Sequence, residues 1–220
     1  MLARWPTGTG VVFGSYSNDE LILTANGVQA LDDSIFEGMT ALKKVDISGN
    51  NIMELPPNIC DGLVSVKSFN ASNNALTALP SGIFTSCTSM TQLDVHGNAV
   101  TNIAVDAFQG LGALEELWVH EQTAKGGGLT TLPSGLLGAL GRLKLIGLNS
   151  LGLETLPLGF FGNQSALLRL YLHTNSISCL PSDSFRALTN LTRLEIHGNP
   201  DLECGGYAAT SLSDVVNVHL

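Results

Sequence analysis

The stretch LLRLYLHTNSISCLPSDSFRALTN, residues 167–190, decides the fold. Leu170 and Leu172 alternate with Arg169, Tyr171 and His173. That period of two puts apolar side chains on one face of a strand and polar ones on the other. Asn175 follows, then Leu180-Pro181 and Phe185. The same phrase recurs along the chain. Aligned on LxxLxLxxN, its lines begin at Asn18, Leu42, Val66, Met90, Leu114, Leu143, Leu167 and Leu191. The lines are 24 residues apart, except for one step of 29 between Leu114 and Leu143. A fixed period marks a repeat architecture. No such unit buries its own apolar face, so the units are stable only as a stack.

The physics of the unit follows from its residues. Each short strand pairs in parallel with the next, about 4.8 Å away. The asparagine after the strand (Asn26, Asn50, Asn74, Asn98, Asn175, Asn199) turns the chain away from the sheet. Its amide is suited to satisfying the backbone groups that such a bend buries. The return limb carries Leu-Pro and then Phe36, Phe84, Phe108, Phe161 and Phe185, which are expected to stack inside. Proline and short limbs oppose long helices. Unit five lacks the asparagine, and Leu151 stands in its place in unit six. The amide ladder is therefore expected to break at two adjacent rungs.

These residues resemble the leucine-rich repeat family in its typical 24-residue class, over about residues 18–204. They are similar to the ectodomain repeats of Toll-like receptors, small leucine-rich proteoglycans and the variable lymphocyte receptors of jawless fish. The resemblance implies an α/β solenoid: a right-handed horseshoe with a concave parallel β-sheet and eight repeats. Its convex side would hold turns, 3₁₀ and short helical pieces. The resemblance also implies extracellular or cell-surface recognition, with an intracellular location as the alternative.

Three segments are expected. Residues 1–17 form an N-terminal cap or a partial preceding segment, 18–204 the solenoid with an insertion near 121–128, and 205–220 a C-terminal cap or tail. The chain has 220 residues and a formal charge of −9, which argues against a nucleic-acid partner, whose backbone asks for a basic face. No apolar run reaches transmembrane length, so no direct membrane insertion is expected.

Four cysteines fit no CxxC motif. Cys179 and Cys204 fall at nearly the same place in units seven and eight, within reach of a disulfide. Cys60 replaces the phenylalanine of unit two and Cys87 a leucine of unit three, either as a bridge or as two buried thiols. Glycosylation sequons begin at Asn70, Asn163 and Asn190.

No motif for nucleophilic, phosphate or metal-assisted catalysis is present. The chain is read as a non-enzymatic module without a cofactor. It would bind a protein or peptide through its concave face. A permanently held scaffold subunit, or the ectodomain fragment of a receptor, is the alternative. Three side chains per strand point outward. In units one to three they are small, polar or singly charged, apart from Ile22. In units four to eight the candidate partner-binding residues are Gln92, Asp94 and His96; Glu116, Trp118 and His120; Asn149; Arg169, Tyr171 and His173; and Arg193, Glu195 and His197. Aromatic and arginine side chains among polar groups are typical of interfaces.

Four of the five histidines share one column of the repeat: His96, His120, His173 and His197. Three readings stand side by side. They are copied with the repeat; or their protonation tunes binding; or pairs of them approach one metal ion, with carboxylates such as Asp94 or Glu195, or water, completing a tetrahedron. No complete metal-ligand set is legible in the sequence.

Overall fold

The computed structural model describes residues 2–7, 10–17, 19–122, 128–181, 183–200, 202 and 218–219. Eight three-residue strands carry the repeats: β3 (Glu20–Ile22), β4 (Lys44–Asp46), β5 (Ser68–Asn70), β7 (Gln92–Asp94), β9 (Glu116–Trp118), β10 (Leu145–Gly147), β11 (Arg169–Tyr171) and β12 (Arg193–Glu195). They pair in parallel and in chain order. Lys44 lies opposite Ser68, Ser68 opposite Gln92, and Gln92 opposite Glu116. Glu116 lies opposite Leu145, so the longer fifth unit leaves the register of the sheet unchanged.

At one end β1 (Leu2–Thr7) and β2 (Gly10–Tyr16) pair antiparallel, and β2 continues antiparallel onto β3. At the other end β13 (Val218–His219) adds to β12 in parallel. On the return limbs β6 (Ala78–Leu79) pairs with β8 (Asn102–Ile103). The remainder of each limb is a chain of turns closed by bonds between residues three apart, such as Ile35 N to Asp32 O and Met39 N to Phe36 O. Among the described residues none is helical, so strands and turns alone build this solenoid. The proline and glycine content of limbs this short leaves no room for a longer helix. No helix among the described residues is long and apolar enough to cross a membrane.

The core is one file of side chains. The inward strand residues (Leu21, Val45, Phe69, Leu93, Leu117, Ile146, Leu170, Leu194) are each at most 1 % exposed. Phe36, Phe84, Phe108, Phe161 and Phe185 are buried behind them. Cys60 occupies the phenylalanine place of unit two and is bridged to Cys87, with Cα atoms 5.3 Å apart. The bridge ties two neighbouring units through the core. The Cys179–Cys204 expectation lies outside the described residues, since Cys204 is not among them.

The asparagine ladder runs along one corner of the stack. Asn50 Nδ2 donates to Leu23 O and Ile47 O, while its Oδ1 accepts from Asn26 N and Val28 N. Asn74, Asn98, Asn175 and Asn199 repeat the pattern. The expected gap at unit five is filled. Gln122 is buried, accepts from Val100 N at 3.0 Å and donates to Val95 O at 3.0 Å and to Val119 O. Glutamine presents the same amide head one methylene further out, so it serves as a rung. Only the Leu151 rung is apolar. There Asn175 Oδ1 accepts from the backbone of Leu151, Gly152 and Leu153 together.

Candidate functional site

The outward side chains of β7, β9, β10, β11 and β12 form the candidate surface. Two residues per strand project from the sheet, and a third follows where the chain leaves it. Next comes a residue with left-handed backbone in every unit: Ala25, Gly49, Asn73, Gly97, Glu121, Ser150, Thr174 and Gly198, with φ between 53° and 67°. Glycine adopts this conformation without strain, which accounts for the glycine in the recurrent HGN phrase.

Trp118 dominates the surface. Its ring stacks on Tyr171, centroids 5.8 Å apart, although β10 lies between their strands. Gly147 makes this possible. A Cβ there would stand 2.6 Å from Trp118 Cε3. Arg193 places its guanidinium 5.9 Å from the Tyr171 ring centre, and its Nε donates to Glu195 Oε1 at 2.8 Å. A stacked, ion-paired arginine is a pre-oriented recognition group.

The histidines stack in pairs. His96 lies on His120 at 4.6 Å with 6° between planes, and His173 on His197 at 4.8 Å with 1°. Edge contacts join each pair to the central rings, Trp118 to His120 at 5.4 Å and Tyr171 to His173 at 6.5 Å. Six rings thus form one continuous ridge across units four to eight. Asp94 Oδ1 accepts from His96 Nδ1 at 2.7 Å and from its backbone N–H at 3.0 Å. Asn73 Nδ2 lies 3.3 Å from His96 Nε2. Burial and then His96 hold His120 below the ordinary imidazole range, outweighing Glu121 and Asp94. Burial and then His197 do the same to His173, against Glu195. Both favour neutral imidazoles in the folded state.

Most of the expected residues therefore meet on one face. Gln92, Arg169, Arg193 and His197 are exposed, and Asp94, His96, Glu116, Trp118, His120, Tyr171, His173 and Glu195 are half-buried. Asn149 departs from expectation: it is 7 % exposed, in a stretch where Leu145 and Gly147 are buried too. Strand β10 is covered by the stacked rings of its two neighbours. Only the absence of bulk at Gly147 hints at this in the sequence. Asn163 and Asn190 are exposed, whereas Asn70 is half-buried on β5, where its Oδ1 accepts from Ser72 N.

The leucine rich repeat model matches residues 19–76, 67–120 and 141–200. The chain belongs to the leucine-rich repeat family. Within it, the fold of the chain is similar to a leucine-rich repeat protein of Leptospira interrogans, with 26 % identity and a TM-score of 0.77 over 92 % of this chain and 48 % of that one. It is also similar to TLR13 in a complex with ssRNA13, with 21 % identity and a TM-score of 0.73 over 81 % of this chain and 25 % of that one. The chain thus spans about half the length of the first leucine-rich repeat protein and a quarter of the second. No curated protein matches it.

Proposed function

We propose that this leucine-rich repeat chain is a non-enzymatic recognition module that binds a protein or peptide along the concave face of units four to eight. The stack of Trp118 on Tyr171 across Gly147 carries the reading. Two large rings held rigidly on an open sheet offer wide contact area at low entropic cost, and Arg193 adds directional hydrogen bonding beside them. A nucleic-acid backbone fits poorly with a chain of formal charge −9.

The core disulfide between Cys60 and Cys87 supports an oxidising compartment, hence a secreted or cell-surface protein. The exposed sequon asparagines, Asn163 and Asn190, would carry glycans away from the concave face. On the return limbs Met53, Val64, Val105 and Leu158 are exposed apolar residues. Such scattered residues do not call for a permanent scaffold contact.

The test is selection of binders from a displayed peptide library, followed by measurement against three variants. Binders are expected to lose affinity for Trp118→Ala and Tyr171→Ala by tenfold or more and to keep it for Leu158→Asn on the opposite side. Retained affinity in both ring variants, with loss in Leu158→Asn, would overturn the concave-face reading.

A further inference from the structure

We infer that His96, His120 and Glu121 form a binding site for one divalent transition-metal ion, zinc above all, at the rim of the concave face. Their donor atoms lie within 4.8 Å of one another, and no other trio of His, Cys, Asp or Glu side chains among the described residues is grouped in this way. Two imidazoles and a carboxylate are an established donor set for zinc, leaving a fourth position for water or a partner's side chain.

The surroundings favour ligation. Asp94 accepts from His96 Nδ1, which fixes the tautomer and leaves the lone pair on Nε2. A carboxylate behind an imidazole is the usual support of a metal-bound histidine. The nearest competitor for that lone pair is the Asn73 amide at 3.3 Å, a weak neutral donor that an ion displaces. Glu121 adds the negative charge from an exposed position. It does so from a left-handed backbone, φ 57°, where units two, four and eight have glycine.

The two rings lie parallel, whereas tetrahedral zinc asks for nitrogens about 3.3 Å apart with lone pairs converging. Closing the site therefore requires the rings to turn about their side-chain bonds. His120 Nδ1 is buried without a hydrogen-bond partner, so turning that ring sacrifices no bond at that atom. The second pair, His173 and His197, is less suited: its carboxylate, Glu195, is already engaged by the Arg193 guanidinium.

The experiment is calorimetric titration of the untagged chain with zinc chloride in a non-chelating buffer near pH 7.5. One equivalent is expected to bind. His120→Gln and Glu121→Gln should each weaken binding by about tenfold or more, while the double variant His173→Gln, His197→Gln binds as the parent does. Glu121 is exposed, so its variant decides the matter if His120→Gln fails to fold. Cobalt in place of zinc should give the visible absorption of a tetrahedral site in the parent and in the His173, His197 double variant, and not in His120→Gln or Glu121→Gln. No binding by the parent overturns the proposal. So does undiminished binding in Glu121→Gln, or loss in the His173, His197 double variant.

Discussion

Trp118 and Tyr171 stand on strands that do not pair with each other, yet their rings stack 5.8 Å apart because Gly147 between them has no side chain. The glycine is here a spatial requirement. The backbone at 147 is not left-handed, so alanine would fit the chain but not the space.

Gly147→Ala is accordingly expected to push Trp118 off Tyr171. The overpacking should cost about 1–3 kcal/mol. Near-ultraviolet circular dichroism should lose the signal of the stacked pair, and thermal melting should fall. An unchanged spectrum would mean that the rings are not held by this contact.

Rungs of the amide ladder should be costly to remove. Asn98→Ala strips partners from Leu76 N, Ala71 O and Val95 O, all buried, at a cost of about 1–3 kcal/mol. Gln122→Ala should cost a similar amount, since it serves Val100 N, Val95 O and Val119 O in the same way. Asn26→Ala removes one side-chain bond, to Thr24 O, from a half-buried site, and should cost less than about 1 kcal/mol. Denaturant melts of the three variants order them. A harmless Gln122→Ala would remove glutamine from the ladder.

The Cys60–Cys87 bridge closes 27 residues of chain, worth about 3.5 kcal/mol by loop entropy alone. Reduction, or the double change to alanine, should lower the melting temperature markedly. In the native oxidised protein neither thiol should react with an alkylating reagent. Peptide mapping without reduction checks this, and two alkylated cysteines at these positions would refute the bridge.

Acid should loosen the histidine ridge. The folded values of His120 and His173 lie below the ordinary 6.5, so the unfolded chain binds more protons as pH falls. Their contribution is complete above about pH 6.5 and is lost as pH drops through the folded values. Melting temperature should therefore decline as pH falls below about 6.5, and decline less in a His120→Gln, His173→Gln variant. Equal declines in both proteins would place the pH dependence elsewhere.

The period, the strand register and the outward column were all legible in the sequence, because a side-chain alternation of two admits one inward face and the spacing of 24 fixes neighbours. His96, Trp118, Tyr171 and Arg193 therefore meet where their spacing put them. The role of Gln122 was present as an amide at the right step of LWVHEQ, but in a side chain one methylene longer than the asparagine of the other rungs. The burial of Asn149 was not legible. It depends on how two large rings on neighbouring strands lean, which no one-dimensional pattern encodes. The trio of His96, His120 and Glu121 was half visible: the histidine column could be read, whereas the turn that brings Glu121 beside it is a property of the backbone.

Units four and six are joined through a fifth that is five residues longer, yet Glu116 and Leu145 still face each other across the sheet. Length is thus an unguarded variable at the corner after the strand and a tightly guarded one within it, where a single extra residue would turn every inward leucine outward. Descent with modification has an easy route here. The chain can acquire new rim segments beside its concave face, one insertion at a time, without renegotiating the core beneath.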